Sequence, residues 1–255
     1  MLVVLNGAPK GGSTWLVQIV NAMKVFDKIP QEFQDPKWSN PSIAIEKLNE
    51  ILNSCDLKSN QFYCKQHWYG EQQFKELLKN PQLKMVNIIR DIRDVLVSRY
   101  FHDIRIGQTA ENDIDQYYWN KGRTNMKQYM DYHIFWHDQD TCEVQPFLCS
   151  YERLHDDFNS QVSELVNYLE LASIIKDNDM NRIREDTSFS EKKLTGEGQF
   201  FRKGIVGDWQ NHLSDAVVDD LKSLAVDTGY LKVKKKMFEN FNLEILKKTD
   251  FGIQN

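Results

Sequence analysis

The chain has 255 residues, a formal net charge of −5 at pH 7 and a pI of about 5.7. That length suits one domain with a sizeable core, and the absence of a basic excess argues against nucleic acid as a partner. No apolar run approaches the ~18 residues of a membrane span, and the first apolar run is too short for a signal peptide, so we expect a cytoplasmic protein without membrane contact.

The cysteine, histidine and acidic residues show no spacing typical of a metal or redox site. The four cysteines are Cys55, Cys64, Cys142 and Cys149. We therefore expect reduced thiols and no metal cofactor.

The chain opens with a short apolar run, a Gly-rich loop and a helix. The run is Leu2–Leu5, the loop contains Gly7, Gly11 and Gly12, and apolar side chains then recur at three- and four-residue steps. Free N–H groups at such a loop and at the first helical turn attract phosphate, and glycine lets the ligand approach the backbone. The opening stretch therefore predicts an anion-binding strand, loop and helix.

This loop is close to a Walker A motif but differs in the position of its lysine. Ser13 follows Gly12 where a nucleotide triphosphatase has lysine, and the lysine of this loop is Lys10. A kinase or triphosphatase remains an alternative at this point, as does a Gly-rich turn without a ligand.

Further strands and helices alternate along the chain. The patterns predict strands over 61–65, 84–89 and 144–150, and helices over 42–53, 71–79, after 90, within 111–139, after 154 to about 171, and over 215–228 with Ser214 as N-cap. This alternation predicts an α/β protein: a single domain with a P-loop-type, doubly wound parallel sheet flanked by helices. The aromatic residues of 111–139 are expected in the core, and the lysines from Lys232 onward on a solvated face.

The opening loop resembles the 5′-phosphosulfate loop of the sulfotransferases, written P-K-S-G-T-T-W. This resemblance implies 3′-phosphoadenosine 5′-phosphosulfate (PAPS) as donor and 3′,5′-adenosine bisphosphate (PAP) as product, with no metal. The loop residues that it implies in binding are Lys10, Gly11, Gly12, Ser13, Thr14 and Trp15. Gly11 and Ser13 depart from the family pattern, and Trp15 would stack on the adenine.

A second segment, residues 90–100, resembles the family's 3′-phosphate motif R-N-P-K-D-V-x-V-S-x-Y. The resemblance places Arg90 and Ser98 on the 3′-phosphate, and Asp91 and Ile92 depart from the pattern. Arginine offers a planar donor fork and serine a hydroxyl, so both suit one phosphate.

Later motifs of the same family follow in order. Tyr151 begins a segment similar to Y-E-D-[ML], and Thr187 with Phe189 matches T-S-F, so these three residues are implied at the adenine. Residues 202–212 resemble the closing signature R-K-G-x-x-G-D-W-K-N-x, with Gln210 as the single departure. The residues implied here in nucleotide binding are Phe201, Arg202, Lys203 and Gly204.

The catalytic residues are implied by Lys65-Gln66-His67, which resembles the family's K-T-H. His67 would be the general base, because imidazole titrates near neutral pH. Lys10 and Lys65 would stabilise the sulfuryl and bridging oxygens, and Ser98 would restrain Lys10. The family's proline two positions after this histidine is replaced by Tyr69.

The resemblance thus implies a compact, bacterial sulfotransferase domain over residues 1–255. Its nucleotide-binding core would be about 1–100 and 145–212, its acceptor-side helical insert about 103–140, and its C-terminal helix and tail 213–255. The acceptor would be a hydroxyl or amine of a small molecule.

Acidic residues ahead of the insert would favour a cationic acceptor if they face its pocket, although a solvated helix start is the simpler interpretation; they are Asp103, Glu111, Asp113 and Asp115. The alternatives are a P-loop nucleoside or nucleotide kinase and a non-catalytic module that binds adenosine bisphosphate. No pattern predicts the oligomeric state.

Overall fold

The computed structural model describes residues 1–37, 40–54, 56–138, 140, 144–188 and 204–241. Its strands are β1 (Leu2–Gly7), β2 (Asp27–Lys28), β3 (Phe62–Gln66), β4 (Leu83–Ile89) and β5 (Phe147–Ser150). Its α-helices are α1 (Ser13–Ala22), α2 (Leu48–Asn53), α3 (Asp56–Ser59), α4 (Gln72–Leu77), α5 (Ile92–Arg105), α6 (Ile114–Tyr117), α7 (Arg123–His137), α8 (Tyr151–Asp156), α9 (Phe158–Tyr168), α10 (Asp177–Asp186), α11 (Asp215–Asp227) and α12 (Tyr230–Phe241). Short 3-10 turns occupy Gln31–Phe33, Ile45–Lys47 and Asp208–Asn211, and a π-helical segment occupies Tyr118–Gly122.

The strands form one parallel sheet in the order β2-β3-β1-β4-β5, which confirms the predicted α/β class. All six residues of β1 are buried, as expected for a central strand covered on both faces. The chain turns to opposite sides of β1 when it forms β3 and β4, so the switch point of this doubly wound sheet lies at β1. The carboxyl end of β1 is therefore the expected place for a ligand.

Polar side chains begin several of the helices. Ser214 accepts a hydrogen bond from Val217 N, which confirms it as the N-cap of α11. Asp91 caps α5 in the same way through Arg93 N at 2.9 Å, so α5 begins with a capping carboxylate where the family has Asn-Pro.

Two compact units divide the chain. The first, Met1–Ile89 with Glu143–Lys192, contains the whole sheet, α1–α4 and α8–α10. The second, Arg90–Cys142 with Lys193–Asn255, contains α5–α7, α11 and α12. The functional division into core, insert and tail stays a prediction.

Two expectations from the sequence are wrong. Lys234 is 1% exposed instead of solvated, and its ammonium lies 5.3 Å from the ring centre of Phe238. Asp103 is fully buried and paired with Arg99 and Lys121 at 3.0 and 2.9 Å, so it is not a solvated helix start.

The aromatic-rich middle segment forms α6, the π-helical segment and α7, and most of its aromatic side chains are buried as expected. Phe135 is half-buried, and Trp119 has 51% of its surface exposed. In the part of the chain that the structure describes, no helix combines the length and the apolar character needed to cross a membrane.

Candidate active site

The Gly-rich loop connects the carboxyl end of β1 to the first turn of α1. Gly11 N donates to Ala8 O at 3.0 Å, which closes the loop on itself. Gly12 has a φ of 108°, and Lys10 has a φ of 70°, a left-handed conformation that costs a non-glycine residue about 1 kcal/mol. A strained, half-buried lysine in this loop fits a site whose shape is set by a ligand.

Close packing requires glycine at both ends of the loop. A Cβ at Gly12 would lie 2.7 Å from Cδ2 of Tyr151, and one at Gly7 would lie 3.1 Å from Cγ2 of Ile88. The backbone can therefore keep this path only without side chains at these two positions.

The N-terminus of α1 is open to an anion. Its N-cap, Gly12, offers no side-chain acceptor, and helical hydrogen bonding begins at Trp15, whose N–H donates to Gly12 O at 2.9 Å. The N–H groups of Ser13 and Thr14 precede that bond. Donors at such a position, together with the helix dipole, form an anion site.

Lys65 projects from β3 onto the beginning of α1. Its Nζ donates to Thr14 Oγ1 at 3.2 Å, and the side chain is 9% exposed. Burial lowers the pKa of Lys65 below its ordinary value of 10.5. The structure thus brings Lys65 and Thr14, two of the predicted site residues, into direct contact.

His67 follows β3 and hydrogen bonds to the loop through its ring. Nδ1 contacts the carbonyl oxygen of Gly7, and because a carbonyl only accepts, Nδ1 must carry the proton. In the neutral ring the lone pair is then on Nε2. Although His67 keeps an exposed surface, desolvation of its ring against the loop lowers its pKa below 6.5; the Lys65 charge lowers the pKa further, and the hydrogen bond to Gly7 acts in the opposite direction.

Two of the residues implied at the adenine, Trp15 and Tyr151, lie together next to this loop. The rings of Trp15 and Tyr151 pack edge to face with centroids 5.3 Å apart, and both are buried. Thr187 is also buried and ends α10, and its hydroxyl donates to Ile183 O at 2.7 Å.

The second unit holds the residues implied at the 3′-phosphate. Arg90 is buried, and its Nη2 lies 3.5 Å from Ile205 O, one residue after Gly204. Ser98 is half-buried on α5, and its side-chain hydroxyl makes no hydrogen bond to the described residues. Residues 189–203 lie outside the described part of the chain, so the roles of Phe189, Phe201, Arg202 and Lys203 stay predictions.

Sequence reasoning assigned no role to Asp94, which fastens the closing motif to α5. Its carboxylate accepts from Gly207 N at 2.7 Å and from Trp209 N at 3.0 Å. Burial raises the pKa of Asp94 above 3.8, although the charge of Arg90 and both N–H groups act against this. The sequence did contain a signal: Asp94 matches the aspartate of the family's 3′-phosphate motif, and a carboxylate is not expected to bind a phosphate.

Metal-binding groups do not occur in the part of the chain described: no cluster of three or more histidine, cysteine or acidic side chains is found there. Cys64 and Cys149 are buried free thiols, as expected.

Comparison with known proteins gives consistent matches. Residues 2–237 match the model of the sulfotransferase domain family. The 3-beta-hydroxysteroid sulfotransferase of Cavia porcellus is 27% identical over 248 residues, which cover 85% of this chain and 79% of the relative. Cytosolic sulfotransferase 15 of Arabidopsis thaliana is 24% identical over 257 residues, with 88% and 71% covered.

Solved structures share the fold. A mouse sulfotransferase complexed with PAP superposes with a TM-score of 0.65 at 20% identity, covering 92% of this chain and 88% of that chain. A retinol dehydratase in complex with androsterone and inactive cofactor PAP gives 0.62 at 16% identity, covering 89% and 80%. Since the family match spans both compact units and nearly the whole chain, this protein belongs to the sulfotransferase family.

Proposed function

We propose that this protein transfers a sulfuryl group from PAPS to a small-molecule acceptor and releases PAP. The observation that carries this proposal is the arrangement at the carboxyl ends of β1 and β3. There, the Lys65 ammonium contacts Thr14 at the open N-terminus of α1, and the His67 ring contacts Gly7 at the start of the Gly-rich loop. This arrangement offers anion donors beside a base, which sulfuryl transfer requires.

The loop holds the 5′-phosphosulfate end of the donor. The N–H groups at the start of α1 bind the phosphate, and Lys10 and Lys65 stabilise charge on the sulfuryl and bridging oxygens. Lys65 is suited to this role because burial keeps competing water away from its ammonium.

His67 is the proposed general base. Its Nε2 takes the proton of the acceptor hydroxyl or amine while the acceptor atom bonds to sulfur, and the bond from sulfur to the bridging oxygen breaks in line. The bridging electron pair leaves with PAP, so charge balances without a metal. The lowered pKa keeps His67 neutral, and therefore able to accept a proton, at pH 7.

Arg90, Ser98, Arg202, Lys203 and Gly204 are proposed to bind the 3′-phosphate. Ser98 supports this role with a hydroxyl that has no partner among the described residues. The adenine is proposed to contact Trp15, Tyr151, Thr187, Phe189 and Phe201.

We place the protein in the cytosol and propose an uncharged alcohol as acceptor. The relatives include a hydroxysteroid sulfotransferase and proteins named cytosolic. Three carboxylates of the acidic cluster have protein partners: Asp103 pairs with Lys121, Glu111 accepts from Asn120, and Asp113 caps α6. They therefore give no reason to expect a cationic acceptor.

The proposal is tested by comparing ligands and then turnover. PAP is expected to raise the melting temperature more than ATP with Mg²⁺, and labelled PAPS is expected to sulfate members of a panel of alcohols and amines. Greater stabilisation by ATP with Mg²⁺ would favour the kinase. Stabilisation by PAP without transfer to any acceptor would favour a non-catalytic module.

A further inference from the structure

Asn6 is a fully buried polar residue in the otherwise apolar strand β1. In the parallel pairing of β1 with β3 it lies opposite Gln66, the last residue of β3. A buried amide is costly unless its donor and acceptor both find partners. The question is therefore which groups the Asn6 amide satisfies.

Both ends of the Asn6 amide bind the main chain of one residue, Trp68. The side-chain Nδ2 donates to Trp68 O at 3.1 Å, and Oδ1 accepts from Trp68 N at 2.8 Å. Each bond is buried, and together they fix the backbone two residues beyond the end of β3. A side chain thus extends the pairing of β1 with β3 after the strand itself has ended.

His67 is the residue between Gln66 and Trp68, and it is consequently held from both sides. The strand pairing fixes Gln66, Asn6 fixes Trp68, and Gly7, the neighbour of Asn6, accepts the hydrogen bond of the His67 ring. The family motif has a proline at the position of Tyr69, which would stiffen this turn locally. Here the Asn6 amide supplies an equivalent restraint from another strand.

We propose that Asn6 is a positioning residue for His67: by holding the Trp68 main chain it keeps Nδ1 on Gly7 and directs Nε2 to the acceptor. This inference rests on the proposed role of His67 as general base. A misplacement of about 1 Å can reduce turnover by about 100-fold, so loss of the restraint has a measurable effect.

The test is the Asn6→Ala variant, compared with Leu165→Ala as a control that loses buried packing in α9. Asn6→Ala is expected to lower kcat by about 10- to 100-fold while the KM for PAPS stays nearly unchanged. A kcat equal to that of Leu165→Ala would overturn the proposal.

A double-mutant cycle separates this inference from the proposed function. If Asn6 acts through His67, Asn6→Ala has no further effect on kcat in the His67→Ala background. An equal loss of kcat on adding Asn6→Ala to the unaltered protein and to His67→Ala would overturn the positioning role of Asn6 and leave the proposed role of His67 as general base intact. Full turnover in His67→Ala would instead remove His67 as base.

A measurement on the unaltered protein covers the case in which Asn6→Ala does not fold. The ¹⁵N spectrum of the imidazoles, with His67 assigned by the signals lost in His67→Ala, is expected to show Nδ1–H as the neutral tautomer. A predominant Nε2–H tautomer would contradict the geometry on which the proposal depends.

Discussion

Around the proposed site, the two units use polar groups differently. In the first unit the Gly-rich loop leads to main-chain N–H groups at the start of α1, and the Lys65 ammonium beside them meets the neutral hydroxyl of Thr14. In the second unit charged side chains hold the protein to itself: the two carboxylate oxygens of Asp94 bind Gly207 N and Trp209 N, and the guanidinium of Arg93 lies 3.9 Å from the ring centre of Trp209. The first unit thus offers hydrogen-bond donors to an anion, whereas the second unit uses charged side chains to hold residues 207–209 in place.

A residue can therefore match a family motif because it contacts the ligand or because it holds the protein in shape. In the stretch that begins at Arg90, Asp91 accepts two hydrogen bonds from the Arg93 guanidinium, and Asp94 fastens residues 207–209. Only Arg90 and Ser98 of that motif remain as proposed ligand contacts. Most of its charged residues therefore pair with other groups of the protein.

The largest expected effect tests the first unit. His67→Ala should lower turnover by about 1,000-fold, within the range attributed to a general base, because no other group replaces Nε2. PAP binding, measured by calorimetry, should be nearly unchanged, since the anion donors remain in place. Turnover equal to that of the unaltered enzyme would contradict the assignment of His67.

A second prediction tests whether the main chain of the Gly-rich loop binds the anion. Gly12→Ala should destabilise the protein by about 2 kcal/mol and greatly weaken PAP binding, because the residue is left-handed and its Cβ would meet Tyr151. Gly229→Ala is the matched control, with a φ of 77° and no atom within 4 Å of the added Cβ. It should lose about 1 kcal/mol in denaturant unfolding and keep its PAP affinity. Equal PAP affinity in both variants would contradict the role of the loop.

A third prediction tests the second unit. Asp94→Asn replaces one accepting oxygen by an NH₂ group, so it should cost about 2 kcal/mol of unfolding free energy and weaken PAP binding by about tenfold. Asp220→Asn is the control, because Asp220 pairs with the Arg123 side chain in the same unit at 2.8 Å and touches no part of the closing motif. A similar loss of PAP affinity in both would show that stability alone is responsible.

Sequence patterns predicted the elements that depend on local signals. The apolar runs of β1, β3 and β4 and the N-cap at Ser214 are confirmed. The two-residue strand β2 escaped prediction because both of its residues are exposed and it exists only through pairing with β3. Helix α10 escaped because it is mostly polar and its stability depends on packing against α1 and α9.

The residues of the site also divide into those with a local sequence signal and those without one. The Gly-rich loop was predicted from its residues, and Lys65 and His67 from their resemblance to the family's K-T-H motif; the structure brings them together. The amide of Asn6 and the carboxylate of Asp94 were not predicted, because their partners lie far away in the chain. Burial of Lys234 in a lysine-rich run was missed for the same reason: only tertiary packing selects one lysine among several.

The smallest expected effect concerns the pH dependence of the first unit. The pKa of His67 is lowered in the folded enzyme, so the neutral base form persists below pH 6.5 and the acidic limb of kcat/KM should lie below that value. The Lys65 charge contributes to this lowering, so in Lys65→Gln the limb should move upward, whatever the loss in absolute rate. Arg153→Gln, which removes a cation paired with Glu164 elsewhere in the first unit, should leave the limb in place. An acidic limb at the same pH in Lys65→Gln would mean that burial alone sets the pKa of His67, and that Lys65 acts only on the donor.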